Sequence, residues 1–176
     1  MKLSIKDITF ISILASITVV IGFVFYFLGG FLPVPGSKFI IFAPFLGCIM
    51  YFPVRKKQKI GVISTLCIIF AFLMLFFNLF MSLAIVLAGI CTDLYSLIVF
   101  HNYQQDWKMI ASAGFYPAAS FFWAFIMTYY FTGAVLFETG KIWIIMIILF
   151  ILIYCLGITG AYISKKIIYP KIYGTG

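Results

Sequence analysis

The chain has 176 residues, 65% of them hydrophobic and only 9% charged, with a mean hydropathy of +1.22. No soluble domain of this length hides so much apolar surface in its own core, so the composition excludes a water-solvated globule and makes lipid the solvent. The net charge of +8 does not point to nucleic acid, because the basic residues stand at the ends of apolar runs.

Six apolar runs predict helices at about 5–28, 38–53, 60–77, 80–100, 109–131 and 142–164. The expected fold is an all-α integral membrane protein, a single six-helix transmembrane domain covering 1–176. The first run is too long for a signal peptide and no small-residue cleavage site follows it, so this span is expected to be retained. It reads "ISILASITVVIGF", with Ser12 and Ser16 four residues apart and Ala15 and Thr18 nearby. Small residues at that spacing let another helix approach closely, either inside the bundle or from a second membrane subunit.

The segment "GGFLPVPGSKFIIFAPF" (29–45) separates the first two spans. Pro33 and Pro35 fix two φ angles and Gly36 offers a hinge, which suits either a plain hairpin or a lid. The second and third spans are short. Residues 38–53 would rise only about 24 Å against a hydrocarbon core of about 30 Å, so the preceding segment is expected to dip into the outer mouth. Asp93, in "LAGICTDLYS", is the one acid well inside a span. Three roles are open to it: pairing with a lysine or capping a neighbouring helix end, relaying a proton or sodium ion, and coupling. Pro117, in "GFYPAAS", should kink the fifth span.

Basic residues in the short loops set the orientation. With both termini cytoplasmic, the inner face carries Lys2, Lys6, Arg55, Lys56, Lys57, Lys59, Lys108, Lys165, Lys166 and Lys171, and the outer face only Lys38 and Lys141. The run "RKKQK" at 55–59 is then a topology signal against anionic headgroups or a docking surface for a cytosolic partner.

No enzyme constellation is evident. The four acids, Asp7, Asp93, Asp106 and Glu138, fall in different segments, and His101 is the single histidine. There is no nucleotide-binding phosphate loop, so transport energy must come from a gradient or another subunit. Cys48, Cys67, Cys91 and Cys155 are scattered singly, which predicts buried reduced thiols and no metal site. Lys38, Asn78, Trp123, Tyr129, Tyr130, Glu138 and Trp143 gather at the outer mouth. They form either an interfacial aromatic belt or a pocket for a small organic ligand.

These features together resemble the substrate-binding S components of energy-coupling factor (ECF) transporters, as architecture over the whole chain more than as a tight motif. "PGSKFIIFAPF" and "LAGICTDL" are similar to segments of vitamin-type members. The resemblance implies a multi-pass protein of a bacterial cytoplasmic membrane that binds a small vitamin-like heteroaromatic compound. It implies as partners a transmembrane coupling subunit and two cytosolic ATPases, so that ATP is used outside this chain. It places the coupling contact at Ser12 and Ser16, small but not the alanines of the family, and makes the loop after the first helix a lid. The protein would topple in the membrane to release its cargo inside.

The histidine-bearing extension of nickel and cobalt members is absent, which turns the reading away from those metals. Haem is the second candidate cargo, and would need Tyr, Met or Cys ligation. A self-contained channel or secondary carrier is the competing class, and would need a polar stripe through the bundle. A lipid-modifying membrane enzyme would need clustered acids or histidines, which the sequence lacks.

Overall fold

A computed structural model describes residues 5–31, 36–132, 142–168 and 170–171, and every regular element among them is a helix. In chain order these are α1 (Ile5–Gly30), α2 (Ser37–Lys57), α3 (Val62–Leu75), α4 (Leu79–Phe100), α5 (Asp106–Thr132) and α6 (Ile142–Ile163). A π-helical turn, Ser164–Ile168, continues α6. Five of the helices are long and apolar enough to cross a membrane; α3, with 14 residues, is not. At 1.5 Å per residue it rises about 21 Å, against about 30 Å of hydrocarbon.

The second span is longer than the sequence suggests. α2 runs on through Pro53 to Lys57, 21 residues in all, or about 32 Å. Pro53 and the basic run read as a stop, yet the last turn stays helical because its cations find partners. Arg55 pairs with Asp106 and Lys57 with Asp7, while the Lys56 ammonium lies 3.8 Å from the centre of the Phe10 ring. Gln58 then closes the helix in a left-handed conformation, its N–H bonded to the Val54 carbonyl. The shortness expected of this span is therefore not seen; the dip expected of the preceding segment concerns residues 32–35, which lie outside the described residues. The short helix is α3 alone.

α2 lies at the middle of the bundle, against α1, α5 and α6, while α4 packs between α3 and α5. The α2–α6 crossing is backbone on backbone. A Cβ built on Gly160 would stand 1.9 Å from the Pro44 carbonyl oxygen, and one on Gly47 would stand 2.1 Å from that of Gly157. Lipid gives apolar side chains no reason to leave it, so such close contact, with its dispersion gain, is what holds membrane helices together.

Ion pairs gather one end of the bundle. Besides Lys57–Asp7 and Arg55–Asp106, Lys165 reaches Asp106 at 2.8 Å. The start of α1, the end of α2, the start of α5 and the turn after α6 therefore share this basic end.

Candidate functional site

α4 and α6 flank α5, and between them lies a cavity of about 380 Å³. Phe115, Ala119, Phe122 and Trp123 of α5 form its floor; Cys91 of α4 and Met146, Ile147 and Phe150 of α6 form its walls. The floor residues recur at spacings of four, three and one, so a single helical face supplies them. None of these eight lining residues carries a charge.

The aromatic walls hold one another in place. Phe115 stacks on Tyr95 with ring centres 4.2 Å apart and planes 9° apart, and it meets Phe150 edge to face at 5.9 Å. The Trp123 indole N–H donates to the Cys91 sulfur at 3.2 Å, which fixes the ring against α4. A volume in the usual range of about 300–1,000 Å³ with flat aromatic surfaces suits a small ring-bearing organic ligand.

Of the residues expected at an outer pocket, Trp123 lines this cavity. It sits about 14 Å along α5 from Thr132. The others occupy different positions. Asn78 caps α4, accepting from the N–H groups of Phe80 and Met81. Tyr129 and Tyr130 are exposed, with Tyr129 stacked on Phe125. The Lys38 ammonium lies 3.7 Å from the centre of the Tyr26 ring. Pro33, Pro35 and Glu138 lie outside the described residues, as does the side chain of Trp143.

Gly36 precedes α2 with φ of 80°, and a Cβ there would meet Phe121 at 3.2 Å. The Ser37 hydroxyl donates to the Gly29 carbonyl at 2.8 Å across the same connection. The two ends of the α1–α2 segment are thus pinned together. Ser16 is exposed and donates to the Ser12 carbonyl, while Ile11, Leu14, Ala15 and Thr18 turn inward. The bundle leaves the small face of α1 open at Ser16.

Phe115, Phe122, Met146, Ile147 and Phe150 were not singled out from the sequence, and Cys91 was read only as one of four buried thiols, of which Cys67 is buried, Cys48 and Cys91 are half-buried and Cys155 is exposed. The pattern 115, 119, 122, 123 was available as one face of a helix, but apolar faces are everywhere in this chain. Nothing in it marks which one borders a gap.

Asp93 fulfils the expectation that it caps a neighbouring helix end. Its Oδ2 accepts from the Ser64 backbone N–H at 2.7 Å and from the Ser64 hydroxyl at 2.5 Å, in the first turn of α3. Its Oδ1 is buried without a hydrogen bond. A buried group left so costs about 1–3 kcal/mol, and more when charged.

No protein-family model, curated protein or solved structure matches the chain.

Proposed function

We propose that the chain is the substrate-binding S component of an ECF-type transporter in a bacterial cytoplasmic membrane. It crosses six times with both termini cytoplasmic and binds a vitamin-like heteroaromatic compound. In this reading it is not an enzyme: a coupling subunit and two cytosolic ATPases use ATP on its behalf. The observation that carries the reading is the uncharged aromatic cavity on α5, with one indole among its walls. A carrier of inorganic ions would want a polar path there, and this lining supplies aromatic faces and two sulfur atoms.

Two further features support it. The basic end collects the start of α1 and the turn after α6, in keeping with an even number of crossings. Ser16 is open to a partner helix, in keeping with a coupling subunit on α1. The segment 29–38 is then the lid, with Lys38 orienting an acceptor on the ligand as it enters.

Haem is the second reading, because Cys91 and Met146 bring sulfur to the cavity and either could serve as an axial ligand. Native mass spectrometry of the purified protein tests both. A bound heteroaromatic mass that is lost in Trp123→Ala supports the first. A haem mass lost in Cys91→Ala or Met146→Ala supports the second. An empty protein after purification from cells supplied with both would contradict the cavity as a ligand site.

A further inference from the structure

The aromatic cavity is closed on three sides and open on the fourth. Its floor is α5 and its walls are α4 and α6. Those two helices each pack along α5 but not along one another, so a gap remains opposite the floor. Ile147 shows the gap at a single residue: it lines the cavity and is still 59% exposed. The rim continues along both helices. Leu94 and Ile98 follow Cys91 on its face of α4, and both are exposed; Ile151, one turn beyond Ile147 on α6, is exposed as well. Both helices are long and apolar enough to cross a membrane. A gap between them with an exposed aliphatic rim opens onto hydrocarbon and not onto water.

The lining limits what can fill this space. Among the eight lining side chains the Trp123 indole carries the one N–H donor, and it is already given to the Cys91 sulfur. The others offer rings, aliphatic carbon and sulfur. The lining stretches lie within continuous helices, so their backbone groups are engaged too. Hydroxyl, amide or carboxylate groups of a water-soluble compound would lose water here and find no partner in exchange.

Phe115, Phe122, Trp123 and Phe150, by contrast, bring four aromatic rings to a space of about 380 Å³, and flat faces favour a flat guest. A hydrocarbon chain on that guest would pass out between Leu94 and Ile147 and meet the bilayer with no polar group stranded on its way.

We infer that the cargo is a lipid-soluble ring compound bearing a hydrocarbon tail, the ring held against α5 and the tail leaving sideways between α4 and α6 into the bilayer. This rests on the reading of the cavity as the cargo site, and narrows the vitamin-like class to compounds dissolved in the membrane.

Mass spectrometry of what the protein carries out of its own membrane tests it, after extraction of the purified protein between chloroform–methanol and water. A compound whose fragments show both a ring and a hydrocarbon chain should appear in the organic phase, and Trp123→Ala should lose it. Leu94→Trp and Ile147→Trp should each lower the amount recovered at least several-fold, because a bulky ring at the rim closes the gap. Both positions are exposed, so the bundle accommodates the change. A polar heteroaromatic compound in the aqueous phase, lost in Trp123→Ala, would keep the cavity as the cargo site and overturn the lipid-soluble class. A chain with no ring, or a ring with no chain, would overturn it as well, as would unaltered recovery in both rim variants. Nothing in either phase would overturn the cargo site and this inference together.

Discussion

Trp123 combines the two properties a binding residue needs here, a flat apolar face and a fixed position. Its N–H is committed to the Cys91 sulfur, so the ring cannot rotate freely into the gap. Replacing it with alanine removes both the stacking surface and the wall. Aromatic pairs contribute about 0.5–1.5 kcal/mol beyond the area they bury. Counting the lost contact area as well, Trp123→Ala should weaken ligand binding about ten- to a hundredfold, read by equilibrium titration with the copurified compound. Trp123→Phe should retain most of the affinity, because the face survives and only the sulfur contact is lost.

At the basic end, Lys57 and Asp7 make the more protected ion pair. The Asp7 side chain is 8% exposed, whereas both side chains of the Arg55–Asp106 pair are about one-third exposed. Exposed pairs contribute about 0–1 kcal/mol, whereas unpairing a buried charge costs more. Lys57→Gln should therefore destabilise the protein by about 1–3 kcal/mol in denaturant unfolding. Lys165→Gln, which leaves Asp106 its arginine, should cost less than about 1 kcal/mol.

The elements show where the sequence was legible and where it was not. Hydropathy alone located the six helices, because in lipid each crossing must be a long apolar run. It misjudged the end of α2, because Pro53 and three consecutive cations look like a terminus. Only the packed bundle shows that Asp7 and Asp106 wait there for two of them. The close-packing motif was sought on α1, at Ser12 and Ser16. The tightest backbone contacts are instead those of Gly47, Gly157 and Gly160 between α2 and α6.

The spacing of small residues was visible in all three helices. Which pairs of helices meet is a property of the fold, and the spacing does not contain it. Gly160→Leu should therefore force α2 and α6 apart and lower the thermal midpoint by several degrees, since overpacking typically costs about 1–3 kcal/mol. Ser16→Leu faces away from the bundle and should leave the midpoint unchanged. In a coexpressed complex, however, Ser12→Trp together with Ser16→Trp should abolish association with the coupling subunit while ligand binding persists.

For the whole molecule, five helices long and apolar enough to cross a membrane and a shorter sixth make its orientation and its partners the properties to measure. Cysteine-accessibility labelling on a cysteine-free background answers the first. Position 56 should label only after the membrane is opened, and position 141 in intact cells. Reaction at position 56 from outside would reverse the orientation and remove the ground for the lid proposed at segment 29–38.

The central claim is that this chain binds the cargo while other subunits supply the energy. Native mass spectrometry of the assembly, extracted mildly from its own membrane, addresses it most directly. The mass expected is one copy of this chain with one membrane coupling subunit and two ATPases, the nucleotide being carried by the ATPases. A chain that transports in proteoliposomes alone or as a homo-oligomer, with no ATPase present, would contradict the account and make this protein a carrier in its own right.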